Sequence, residues 1–338
     1  MEGTRTVRCT ATGSTATTVR LVPAPAAGSS ADSAPTIQGA IDAAHRRGGE
    51  VVQLSGGTYL LSRPLMLLDG VTLRGEGATS TRVKAGPQFL AEKGPFGGHP
   101  LITTNGATGV TISDLTADHS GDTLDGNTTN RLDEYLIDVR YSRNAVVQRV
   151  TTVNPFTYSI AVVASTDFCI LGNATSVATN GTYDQLDGIH VLDSGFGVVQ
   201  GNTVDQGTGA DGDDGLVAHS IGEPVHDVAY LDNTVRGGRH GSAMQIAVGE
   251  AGAYNLTIRN NRFWGSTSGL ITGYYGGTGP VTGVEVRDNH FEDNSGPSVD
   301  FYGNLEGIVL SGNTASRSGA FTVVDGFGDR VDAQGNSY

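Results

Sequence analysis

One short phrase recurs through the second half of the chain, and a recurrence at that spacing restricts the fold more than any other feature. The phrase is two or three alternating apolar residues, a polar pair and an asparagine. It reads CILGNAT from residue 169, VVQGNTV from 198, AYLDNTV from 229, TIRNNRF from 257, EVRDNHF from 285, VLSGNTA from 309 and DAQGNSY from 332. The asparagines are Asn173, Asn202, Asn233, Asn261, Asn289, Asn313 and Asn336, separated by 29, 31, 28, 28, 24 and 23 residues. Looser copies without the asparagine, VTISDLT from 110 and AVVQRVT from 145, lie upstream. A second alternating segment falls between the phrases each time: YLIDVRY from 135, SIAVVAS from 159, GIHVLDS from 188, GLVAHS from 215, SAMQIAV from 242, SGLITGY from 268 and SVDFYG from 298. Alternation over five or six residues is the mark of a half-buried strand.

Each repeat is therefore two or three short strands joined by Gly, Asn and Asp turns. A propeller blade needs four strands in ~40–50 residues, which this spacing denies. One coil cannot bury its own apolar face, but stacked coils bury a continuous core. The expected fold is all-β: a single-stranded right-handed parallel β-helix of about ten coils. Stacked asparagines at one turn hydrogen-bond along the axis and tolerate left-handed backbone, so their role is structural. Residues 35–44 form the one clear helix, with Ile37, Ala40, Ile41 and Ala44 on one face and Gly48-Gly49 ending it. It is expected to cap the open end of the core, because terminal repeats need a cover. Residues 1–34 read as an extended lead-in, and 35–338 as the β-helix domain.

Composition narrows the function. The 338 residues carry a net charge of -14, which disfavours nucleic-acid and anionic-membrane binding. No apolar run approaches the ~20 residues of a membrane span, and Met1-Glu2-Gly3 opens no signal peptide. Two cysteines, Cys9 and Cys169, make no disulfide framework, and Cys169, in an apolar string, reads as a buried thiol.

Chemistry sits on three consecutive repeats. Asp187-Gly188-Ile189-His190, Gly212-Asp213-Asp214-Gly215 and Arg239-His240-Gly241-Ser242 each stand just before the second strand. The steps are 27 residues (187 to 214) and 26 (214 to 240), about one coil each. Coils lie ~4.8 Å apart, so Asp187, Asp214 and His240 should form a ladder with Asp213 beside it. Carboxylates this close cannot all ionise, and one that keeps its proton beside one that does not is what glycoside hydrolysis needs. Asp138, Arg140, His190, His219 and Gln245 fall on outward positions of neighbouring second strands and are candidate groove residues. Tyr274 and Tyr275 either stack on a sugar or pack between coils. Trp264, in a turn, is a platform or a plug. The polar insert from Asp118 to Glu134 is expected to wall the groove.

The Gly-Gly-x-Val segment at 48–59 after an AIQAAIDAA-type helix resembles the opening of the pectate-lyase-like superfamily. Gln185-Leu186-Asp187-Gly188, Ala210-Asp211-Gly212-Asp213-Asp214 and Arg239-His240-Gly241 resemble the successive motifs of polygalacturonase-type hydrolases. The resemblance implies that Asp213 donates a proton, that Asp187 and Asp214 hold and deprotonate water with inversion, and that His240 supports the donor or binds sugar hydroxyls. It implies a carbohydrate substrate contacted by Arg239 among others, no cofactor, no metal, an extracellular or secreted setting, and a monomer, or a trimer in a spike protein. The Arg-x-Lys that grips a uronate is missing, since that repeat reads Ser268-Gly269-Leu270-Ile271, so the substrate is expected not to be polygalacturonate. Rival readings are a mannuronan-type epimerase, a lyase and a glycan-binding spike module. Arg239-His240-Gly241 also suits the epimerase, but Tyr158-Ser159-Ile160-Ala161-Val162 lacks its Asp and His. A lyase would want a cation, and the acids at 211–214 could hold Ca²⁺ without being an EF-hand.

Overall fold

The computed structural model describes residues 9, 18–124, 134–177, 185–209, 212–319, 321–323 and 331–337. They wind into a right-handed parallel β-helix of about ten coils, with three parallel sheets of 14, 10 and 10 strands. Every pairing is parallel, and within each coil the chain visits the three sheets in turn. Inward-facing Leu, Ile, Val and Phe from the three sheets form one continuous core from Val22 to Leu310. Among the described residues no helix is long and apolar enough to cross a membrane.

The helix Ala34–His45 closes the N-terminal end, burying Ala34, Ile37, Ile41 and Ala44, while Ala40 is half-buried at its edge. It packs on the strands Val19–Val22, Val51–Leu54, Gly57–Leu61 and Leu65–Met66. Val19–Val22 pairs with Val51–Leu54, so the lead-in supplies the first strand of the largest sheet.

The asparagines form an unbroken ladder. Each side-chain amide from Asn173 to Asn313 donates to the Oδ1 of the next asparagine at 2.8–3.0 Å. Each also donates to a backbone carbonyl, such as Asn233 Nδ2 to Val199 O at 3.0 Å. The left-handed backbone falls one residue earlier than expected. Gly172, Gly201, Asp232, Asn260, Asp288, Gly312 and Gly335 have φ between 55° and 70°. The turn residue takes the strained conformation, and that leaves the asparagine's amide free to bond along the axis.

The cysteines require a correction. Cys169 is buried but is not a thiol: it is bonded to Cys9 across 160 residues, pinning the lead-in to the outer face of the largest sheet. Trp264 lies not in a turn but in the strand Arg262–Trp264 of the third sheet, with the guanidinium groups of Arg236 and Arg262 over its ring at 5.0 and 5.2 Å.

Candidate active site

The second strands form one 10-stranded sheet, and their register decides what shares a groove. Ile189 pairs with Leu216, and Leu216 with Met244, so these face the core together. Counting back two residues from each puts Asp187, Asp214 and Ser242 in one row. His240 is thus not the third rung. Its backbone N–H bonds Gly212 O, two residues before Asp214. The step from Leu216 to Met244 is 28 residues, not 26, and Ser242 takes the expected place of His240.

Glycine makes this stacking possible. A side chain at Gly241 would run into the backbone of Asp213 and Asp214, and one at Gly238 into Gly212. Side chains at Gly188 and Gly215 would strike Val204 and Val235 inside the core. Neither Gly188 nor Gly215 has positive φ, so the Asp-Gly pairs are not turns. The aspartate points out while the missing Cβ lets the inner layer close.

Asp187, Asp213 and Asp214 each offer an oxygen within 4.8 Å of the others. Asp214 N–H donates to Asp187 Oδ1 at 3.1 Å. Ser242 donates twice to Asp214 Oδ1, from its backbone N at 2.6 Å and its Oγ at 2.5 Å. Burial raises the Asp214 carboxyl to about 6 against the pull of those donors. Burial first, and the neighbouring Asp214 charge second, hold Asp187 well above the usual carboxylate range. Of the pair, Asp214 has the donors that favour charge, and Asp187 keeps the proton. Asp187 Oδ2 lies 2.7 Å from His190 Nδ1, and His190 Nε2 lies 3.0 Å from His219 Nδ1. Burial brings both imidazoles down to about 3, so they are neutral near neutral pH.

A cavity of about 330 Å³ opens beside the acids, lined in part by Asp213, Asp214, His240, Gln245, Ile271 and Tyr275. Gln185, Gly241, Ser242 and Thr267 also line it, and no Lys or Arg is among the described residues that do. Of the expected groove residues, Gln245 and Tyr275 reach it. Tyr274 does not: its hydroxyl accepts the Asn304 N–H at 2.9 Å and its ring packs edge-on against Tyr302. Arg239 is exposed and outside the lining. His190 and His219 lie outward beneath the acids but buried, and Asp138 and Arg140 pair with each other, also buried, two coils before Asp187. Asp211 and residues 125–133 of the polar insert lie outside the described residues. Ser242, Thr267 and Ile271 also line the cavity, and as uncharged residues they carry no mark in the sequence that sets them apart from their neighbours. The register of Ile189, Leu216 and Met244 was the signal that could have found Ser242.

No curated protein sequence shows significant similarity to the chain. Among solved structures, a polygalacturonase from Erwinia carotovora ssp. carotovora superposes with a TM-score of 0.67 at 16% identity, covering 93% of this chain and 96% of that one. An endo-xylogalacturonan hydrolase from Aspergillus tubingensis gives 0.67 at 16%, covering 94% of each. The tailspike of E. coli bacteriophage HK620, in complex with a pentasaccharide, gives 0.69 at 18%, covering 88% of this chain and 56% of that one. At these identities the likeness is one of fold. The sequence profile of one family, however, matches residues 26–294, most of the chain. The chain belongs to the family described as rhamnogalacturonase A/epimerase, pectate lyase-like.

Proposed function

We propose that this protein is a glycoside hydrolase whose acid–base machinery is Asp187, Asp213 and Asp214. The observation that carries the reading is the meeting of three carboxylates within 4.8 Å, of which Asp213 and Asp214 line a 330 Å³ cavity while Asp187 is buried. Their environments differ, as a reaction needing both an acid and a base requires. Asp213, less buried and lining the cavity, donates a proton to the leaving glycosidic oxygen. Asp214, kept ionised by Ser242, takes a proton from water held between it and Asp187. The water oxygen bonds to the anomeric carbon as the bond to the leaving oxygen breaks. Inversion follows the family resemblance, since 4.8 Å falls below the ~6.5–9.5 Å usual for inverting pairs. His240 and Gln245 bind sugar hydroxyls, and Tyr275 lies against a sugar face.

The substrate is proposed to be an uncharged stretch of glycan, because among the described residues no lysine or arginine lines the cavity to neutralise a carboxylate. An extracellular site of action is in keeping with the Cys9–Cys169 disulfide, which persists in oxidising surroundings. The test is incubation with galactan and dextran, which carry no carboxylate, and with polygalacturonate and xylogalacturonan, which do. New reducing ends from the wild type and none from Asp213→Asn, with both equally folded, are expected. An absorbing unsaturated sugar would replace this reading with a lyase, and retention without products with a binding module.

A further inference from the structure

Resting on the hydrolase reading, the geometry points to how that site meets its substrate: we infer that the groove is closed on one side by the protein's own side chains, so the enzyme removes units from a chain end and does not cut internally. A glycan lying across successive coils needs open groove on both sides of the acids. On the C-terminal side the described residues leave the groove open. Gln245 and Ile271 are half-buried, and Tyr275 is 52% exposed. On the N-terminal side it is filled.

The filling is a continuous stack along the helix axis. Tyr135 and Tyr158 occupy the Asp187 row on the two preceding coils, as their spacing from Ile137, Ile160 and Ile189 dictates. Tyr158 lies flat on the His190 ring, centroids 4.3 Å apart and planes within 7°, and Tyr135 lies flat on Tyr158 at 4.8 Å and 8°. The Arg140 guanidinium sits 5.4 Å from the Tyr135 ring centre, and Phe96 lies over Arg140 at 4.6 Å. These rings stand where sugar platforms would be, but they are only 5% (Tyr135) and 9% (Tyr158) exposed. Beside them Ala161 and Val163, outward on their strand, join an apolar cluster with both tyrosines that is separate from the main core. An outward sheet face bearing its own buried apolar cluster is a covered face.

The cover is anchored. Phe96 belongs to the loop after Ala85, and that loop ends at His99, whose backbone N–H and Nδ1 bond Glu134 at 2.7 and 2.9 Å just before Tyr135. His99 and Glu134 are both buried, so a sugar cannot displace the plug without breaking a buried pair. The cavity therefore meets the acids at Asp213 and Asp214, has this covered row on its N-terminal side, and takes the end of a chain.

The test follows product sizes from the wild-type enzyme by gel filtration, on whichever of the four polysaccharides releases reducing ends. Mono- or disaccharide-sized products from the first time point, with the polymer peak unshifted and viscosity nearly unchanged, are expected. A polymer peak that slides early through intermediate sizes overturns the inference and leaves the hydrolase reading standing. No reducing ends from any of the four sinks that reading, and this inference with it.

Discussion

Replacing Asp214 with asparagine separates what the site does for catalysis from what it does to the fold. The carboxyl is buried, and its pKa rises from 3.8 to about 6 on folding. Because the folded value lies above the unfolded one, the folded state binds a proton that the unfolded chain releases. Its contribution to stability is therefore intact below 3.8 and lost as pH rises through about 6. Two units at ~1.4 kcal/mol each make the ionised Asp214 cost the fold about 3 kcal/mol at neutral pH. Asparagine keeps the acceptor oxygen for both Ser242 donors and carries no charge. Unfolding entropy of ~2.1 cal/mol/K per residue over 338 residues is about 0.7 kcal/mol/K, so the relief amounts to about 4 °C in Tm. Asp214→Asn should thus melt about 4 °C above wild type near pH ~7.5, with the gap closing near pH ~4. Turnover should fall by ~10²–10⁴-fold, the usual worth of a general base. The assay is a scan of Tm against pH for both proteins, with reducing-end release alongside. A variant less stable than wild type near neutrality, or a gap that does not change with pH, would refute the reasoning, because the charge would then not be what strains the site.

Three other outcomes test separate parts of the structure. Ser242→Ala removes one of the two donors that favour the Asp214 charge. At ~1.5–3 kcal/mol for a hydrogen bond to a charged group, the acid limb of kcat/KM, expected near pH 6, should move up by about 1–2 units; an unmoved limb would remove Asp214 as the base. Asn233→Ala deletes its amide bonds to Val199 O and Asn261 Oδ1 and strands the Asn202 donors. It should cost about 3–5 kcal/mol by denaturant titration with kcat unchanged, and lost turnover without lost stability would contradict a structural ladder. Reduction of Cys9–Cys169 reopens a loop closed across 160 residues, worth about 5 kcal/mol on the chain-entropy account, so Tm should drop in dithiothreitol and stay put in a Cys9→Ser variant so treated.

The architecture was legible because its signal is periodic and local. Alternation marked the strands, the asparagine marked each coil, and the apolar face of residues 37–44 marked the cap. The disulfide was not legible, because nothing near Cys9 points to a partner 160 residues away. The candidate site was half legible. The acids at 187, 213 and 214 were found, and they meet, because successive coils differ little in length.

What failed was alignment by residue type. Setting His240 level with Asp214 matched one chemically active residue to another across 26 positions, but coils stack by their inward residues, not their polar ones. Ile137, Ile160, Ile189, Leu216 and Met244 pair in sequence, and the residue two before each is Tyr135, Tyr158, Asp187, Asp214 and Ser242. Read by that rule, the row changes character at Asp187: two tyrosines, then two aspartates, then a serine. Aromatic rings with outward neighbours such as Ala161 and Val163 can cover one another and exclude water, whereas carboxylates and a hydroxyl need polar partners and a solvent-facing cavity. The boundary between plug and pocket is thus written in a single row of side chains. It becomes visible once the core, rather than the chemistry, sets the register.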